Sequence, residues 1–350
     1  MKPNPFFFFV AAAMFFSASA SAAPDVQKTE YTCGAVLPLS GTVAEWGTVM
    51  KNAMETARTD FNAGSVRFLY EDDQYVPKNT VSAVQKLLAV DNVDCLITLG
   101  SSTSMSAQTL AERAGVPLFA VALNPKVGQG MHFVFRYYVP INRQVEAILR
   151  ELPRRNYQRI AFVSSTHDAT LALRDALLSA NAVVPAADEE ISAGEADISA
   201  VALKVLKKKP DAVFLNTVPP QPSTLARKLR ELGYQGQFFS GPLLESQEEI
   251  SNSNGALEGA WFVTVDNANA DAFNTKYEKR FGSKPVILAI YAYDIAKIII
   301  QGHRMNKLGD YIRSLESFEG LAGRYGWDGA GFDIPAAVWE IRGGAFKRKH

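Results

Sequence analysis

The stretch Asp94-Cys95-Leu96-Ile97-Thr98-Leu99-Gly100-Ser101-Ser102-Thr103-Ser104 decides the fold. A short apolar run, Cys95 to Leu99, fits a strand buried on both faces and stops at a glycine. Four small hydroxyl residues then open a helical pattern that continues to Arg113. Strand, tight turn and helix N-terminus in that order form half of a βαβ unit, and such units build parallel sheets covered on both faces. The same alternation extends outward. Tyr31–Leu39 is β-rich, Trp46–Asn62 is amphipathic, Val66–Tyr70 is extended, and Lys78–Val90 carries Val81, Val84, Leu87 and Leu88 on one helical face. Val116–Val121 continues the series as a further strand.

A second series follows. Gln144–Arg154 is helical, Arg159–Ser164 extended, Leu171–Ala180 and Asp197–Leu206 helical, Asp211–Asn216 extended and Ser223–Leu232 helical. Trp261–Val265 is extended, Ile287–Gln301 is a strongly apolar helix, and Gly323–Trp327 and Ala336–Ile341 are late extended segments. A chain of 350 residues with 47% hydrophobic residues can bury two such α/β units.

The first residues differ from the rest. Lys2, the apolar run Phe6–Phe16 and the small residues Ser17–Ala23 form a secretory signal pattern, with Ala20-Ser21-Ala22 as the cleavage site and Ala23 as the mature start. The apolar run is too short to span a bilayer. Export implies an oxidising compartment, where Cys33 and Cys95 form either a disulfide or two buried free thiols. Formal net charge is zero and the basic run Lys207–Lys209 sits at a helix end, so no nucleic-acid surface is expected. Neither cysteine has metal-ligand spacing, no cofactor motif is present, and the four histidines fall in no catalytic pattern, so no metal, no cofactor and no enzymatic activity are expected.

In open α/β sheets, ligands sit beyond the carboxyl ends of the strands. That rule selects Ser101 and Ser102 at a helix N-terminus, where free N–H groups attract anions. It also selects Ala122 and Asn124 after the strand Val116–Val121, Trp46 after the first strand, and His167 and Asp168 after Arg159–Ser164. Capping needs only one hydroxyl, so four in a row go beyond a cap.

Several segments in order carry a family likeness: Gly34–Gly41 with Trp46-Gly47, Tyr70–Asp73, Gly100–Ser104, Ala114–Pro117 with Ala122–Pro125, Lys209–Val213, and Tyr291–Asp294. On these the chain resembles a type I periplasmic solute-binding protein of the leucine/isoleucine/valine-binding class. The resemblance implies an α/β fold of two doubly wound parallel-sheet lobes joined by three hinge strands, near Tyr137–Asn142, Val263–Val265 and Leu321–Gly326. It divides the chain into a signal peptide 1–22, a first lobe 23–140 plus 266–322, and a second lobe 141–265 plus 323–350. It gives Ser101 and Ser102 the ligand carboxylate, Ala122 and Asn124 the ligand's polar end, and Trp46 the cover over its side chain.

The chain departs from the pattern in the second lobe. Amino-acid-binding members place an acid just after a Gly-Pro, to pair with the ligand ammonium. Here Gly241-Pro242 is followed by Leu243, which leaves Glu245 or Asp168 to supply the charge. The implied function is a monomeric periplasmic component of an ABC importer that closes on a small amino acid or carboxylate and presents it to an inner-membrane permease. The alternative is a ligand receptor that serves a sensor or an oxidation pathway.

Overall fold

The computed structural model describes Met1 and residues 30–349 except positions 42, 193, 196, 306 and 330, so the signal segment expected at 1–22 lies, Met1 apart, outside the described residues. The first unit comprises β1 (Tyr31–Leu37), α1 (Ala44–Asp60), β2 (Val66–Asp72), α2 (Pro77–Ala89), β3 (Cys95–Leu99), α3 (Ser101–Ala114), β4 (Leu118–Val121) and β5 (Val134–Arg136). Its strands form a parallel sheet in the order β2-β1-β3-β4-β5.

Alternate residues of β1, β3 and β4 feed two cores, which is why these strands read as continuous apolar runs. Ala35, Ile97 and Phe119 face one side, while Val36, Leu96 and Leu118 face α2 and α3 on the other. Cys33 and Cys95 are register partners on β1 and β3, both fully buried, and they form a disulfide. The free-thiol alternative is thereby set aside.

The second unit comprises α4 (Ile141–Arg155), β6 (Ile160–Ser165), α5 (Asp168–Ser179), β7 (Ala187–Ile191), α6 (Ser199–Lys207), β8 (Ala212–Asn216), α7 (Gln221–Glu231), β9 (Gln237–Ser240), a 3-10 turn (Pro242–Leu244), α8 (Gln247–Asn252) and β10 (Trp261–Val265). The chain continues through α9 (Asp271–Phe281), α10 (Leu288–Gly302), α11 (Leu308–Arg313), β11 (Phe318–Gly320), β12 (Gly323–Tyr325), β13 (Ala336–Arg342) and β14 (Ala345–Arg348). The second sheet runs β14-β13-β10-β9-β8-β6-β7, parallel from β7 to β10 and antiparallel at β13 and β14. The molecule is thus an α/β fold with two parallel-sheet lobes. No helix among the described residues is long and apolar enough to cross a membrane.

Helix α10 returns to the first lobe, where Ile295, Ile298 and Ile299 join the same core as Met50 and Met54 of α1. It also fixes the connections between lobes. The buried Asp294 carboxylate accepts from Leu321 N at 2.8 Å, Ala322 N at 3.4 Å and the Tyr325 hydroxyl at 2.7 Å, and Tyr325 meets the Tyr137 hydroxyl. Burial pushes Asp294 up to about 6 although these three donors pull the other way. Tyr291 Oη accepts from Val139 N at 3.3 Å. The last return was expected near Leu321–Gly326. Tyr325, Phe332 and Ile334 instead share the first lobe's core, and pairing with the second sheet begins at Ala336.

Candidate functional site

The carboxyl ends of the strands in the two sheets meet. Asn124, in the loop after β4, donates through Nδ2 to Asp168 Oδ2 at 3.2 Å, and Asp168 opens α5 after β6. Glu245, beyond β9 and the 3-10 turn, accepts through Oε1 from Ile287 N at 3.1 Å, just ahead of α10. These two contacts cross the cleft and define its sides.

On the first lobe, Gly100 ends β3 with φ +104°, and no side chain caps α3. The four hydroxyls expected at this turn divide. Thr103 Oγ1 donates back to Leu99 O at 2.5 Å, and Ser104 Oγ pairs with Thr98 Oγ1 at 2.8 Å, so both are turned into the sheet. Ser101 is buried and its Oγ accepts from Asn124 N at 3.1 Å, while Ser102 is exposed. Ala122 is fully buried in the core facing α2 and α3. Asn124 is buried, and its Oδ1 accepts from Lys126 N at 2.9 Å, a turn contact that coexists with the bond to Asp168. Trp46 lies half-buried in the first turn of α1, with its ring edge-on to Tyr75 at 5.8 Å.

On the second lobe, His167 caps α5 by accepting from Ala169 N at 3.3 Å, and Asp168 is exposed apart from its bond to Asn124. Glu245 is set between the lobes. Burial pushes its carboxyl up to about 8, against the pull of the Ile287 amide and the neighbouring Thr264 hydroxyl. Glu245 Oε2 and Thr264 Oγ1 are both buried and adjacent, with no further partner among the described residues. Gln144 Oε1 and Thr217 Oγ1 are buried and unpaired. Gln144 Nε2 is held by Val139 O at 2.9 Å in the first connection, and Thr217 directly follows β8.

The structure brings the loops of Asn124 and Asp168 together, and the sequence did not single out Tyr75, Tyr138, Gln144 or Thr264. Tyr75 follows a strand end, and the carboxyl-end rule could have nominated it. Tyr138 lies in the first connection, where its phenol, raised by burial, faces Glu245 and Tyr75. Gln144 and Thr264 sit on a helix and a strand, and no local pattern marks them. Tyr291 is core, as its place on an apolar helix implies.

A surface cavity of about 650 Å³ lies at the other ends of the first lobe's strands, lined by Tyr31, Asp94, Pro117, His132, His303 and Arg313. Its polar groups are engaged locally, His303 with Ser65 Oγ and Ile300 O, Arg313 with His132 O and Asp310. It is not part of the cleft.

Residues 30–331 match the family model described as periplasmic binding protein. A Leu/Ile/Val-binding protein of Rhizobium johnstonii is 26% identical over 266 residues, covering 72% of this chain and 71% of the relative. A branched-chain amino acid transporter substrate-binding protein of Streptococcus pneumoniae, solved in complex with isoleucine, superposes with TM-score 0.81 at 18% identity over 91% of this chain and 99% of that one. An ABC transporter solute-binding protein of Rhodopseudomonas palustris, solved with benzoate, superposes with TM-score 0.77 at 18% identity over 91% of this chain and 95% of that one. With two parallel-sheet lobes, a cleft at their facing strand ends and a match over most of its length, the chain belongs to the periplasmic binding protein family, a family of solute-binding proteins rather than enzymes.

Proposed function

We propose that this chain captures a small amino acid or carboxylate between its lobes and delivers it to an inner-membrane ABC permease. The observation that carries the reading is a group of buried polar atoms on the second lobe: Gln144 Oε1 and Thr217 Oγ1, which are unpaired, and the adjacent Glu245 Oε2 and Thr264 Oγ1, which have no further partner among the described residues. Buried polar atoms are nearly always paired, and each orphan costs about 1–3 kcal/mol. Together these atoms favour a surface that a ligand completes.

The opposite wall offers the uncapped N-terminus of α3, where N–H groups and the helix dipole favour an anion. The ligand carboxylate docks there beside Ser101 and Ser102, and Asn124 and the Ala122 carbonyl line the same end. Trp46 flanks the side chain. The ligand's other end meets Glu245, with His167 and Asp168 at the mouth. An ionised Glu245 takes an ammonium; a protonated one donates to an amine-free ligand. The relatives solved with isoleucine and with benzoate represent both classes. Closure excludes water and strengthens each of these contacts.

The test is a thermal-shift panel on protein starting at Ala23, pairing branched and aromatic amino acids with the same acids lacking the amine. A ligand at about 100 times its Kd adds roughly 2.7 kcal/mol. A shift with either class supports capture, and uptake of that ligand failing in cells without the chain supports delivery. A silent panel would sink the capture reading for these ligand classes.

A further inference from the structure

Tyr75 lies in the turn between β2 and α2, at the rim of the cleft. Its backbone φ is +62°, next to Gln74 at +53°. Two consecutive non-glycine residues in the left-handed region cost roughly 1–2 kcal/mol each, and for a bulky aromatic this is an outlier. A turn alone would be served by Asn-Gly or Asp-Gly. The surroundings hold the strained shape in place. Asp72 Oδ1 accepts from Gln74 N at 3.0 Å and from Leu39 N at 2.8 Å, tying the turn to the loop after β1. Asp73 accepts from Tyr75 N at 2.9 Å and from Thr80 Oγ1 at 2.8 Å. Strain maintained by its neighbours and directed at a cleft is a feature of functional positions.

The strain places an aromatic ring on the start of α3. A Cβ at Gly100 would meet Tyr75 Cε2 at 2.5 Å and Cζ at 2.8 Å. The hydroxyl end of the ring therefore lies against the residue that ends β3 and opens the helix. The same ring stands edge-on to Trp46, at 86° between planes. Among the described residues the hydroxyl makes no hydrogen bond, so nothing there requires a tyrosine for the fold alone.

We infer that Tyr75 sets the size limit on the ligand side chain in the proposed cleft, and that the ligand is compact. The inference rests on the capture reading above. A ligand whose anionic end sits on the α3 N-terminus has Gly100 beneath it, and Trp46 and Tyr75 form two walls at right angles. Its side chain extends into the corner between them, and the Tyr75 ring occupies the space a longer side chain would need.

The experiment is calorimetric titration of wild type, Tyr75→Ala, Tyr75→Phe and Tyr75→Trp with alanine, valine, leucine and phenylalanine and with the matching amine-free acids. Wild type should favour the smaller members. Tyr75→Ala should shift the affinity ratio toward the larger members by about tenfold or more, Tyr75→Phe should keep the wild-type ranking, and Tyr75→Trp should weaken the larger members further. The same ranking in all variants that bind overturns the inference and leaves the capture reading intact. A wild type that binds nothing in the panel overturns both. Should Tyr75→Ala fail to fold, the Tyr75→Trp titration decides alone.

Discussion

Burial favours the protonated form of the Glu245 carboxyl in the folded chain. Its carboxyl is raised from 4.5 to about 8, so the folded state binds more protons between those values. The contribution is complete below pH 4.5 and is lost as pH rises through about 8. Asp294, raised from 3.8 to about 6, acts in the same direction at lower pH, as do the buried carboxyls of Glu249 and Asp73, so comparison with Glu245→Gln isolates Glu245. Melting temperature should fall from pH 6.5 to 8.5 in wild type, by the equivalent of roughly 1–3 kcal/mol, and the slope should flatten in Glu245→Gln. Binding reports on the same proton. An ammonium paired with Glu245 lowers its pKa, so binding at pH 7 should release about one proton, seen as a calorimetric enthalpy that varies with the buffer's ionisation heat. An amine-free ligand should release none. This distinction was not legible in the sequence, where Leu243 and Glu245 show only that the expected acid is displaced. Whether Glu245 is charged depends on its burial, which is set by Tyr138, Tyr291 and Thr264 from other parts of the chain.

At the scale of elements, the disulfide joins β1 to β3 across 62 residues. Closing a loop of that length restricts the unfolded chain by about 4 kcal/mol in the entropic model. Cys33→Ala with Cys95→Ala should therefore lower stability to denaturant by about 2–4 kcal/mol. Reductant should leave the native wild type unaffected, because both sulfurs are fully buried. Asp294→Asn should cost about 2 kcal/mol, measured the same way, because an amide accepts at only one end of a site built from three donors.

Most elements were legible. Strands such as Cys95–Leu99 and Trp261–Val265 are uniform apolar runs, and the helices between them are periodic. Those missed have physical reasons. β5 is three residues long, and β7, Ala187-Asp188-Glu189-Glu190-Ile191, is an edge strand whose charged residues hide its pattern. The third connection was placed too early because Gly323–Trp327 is extended without joining the second sheet.

At the scale of the molecule, the proposed capture requires one lobe to close on the other about the three connections. Ligand drives closure only by binding the closed form better than the open one. The contacts Asn124–Asp168 and Glu245–Ile287 join the two lobes across the cleft. The radius of gyration in solution scattering should fall when a bound ligand is present; an unchanged radius would rule hinge closure out. Asp168→Ala removes an exposed contact worth about 1 kcal/mol, so affinity should weaken roughly fivefold. Of the four tryptophans, Trp261 is fully buried, Trp46, Trp327 and Trp339 pack against lobe cores, and the proposed site puts Trp46 alone beside the ligand. Emission from an indole depends on its exposure to water, so Trp46 gives the protein an intrinsic optical signal. Ligand should shift the fluorescence spectrum to the blue, Trp46→Phe should abolish the shift, and association rates then become measurable without any label.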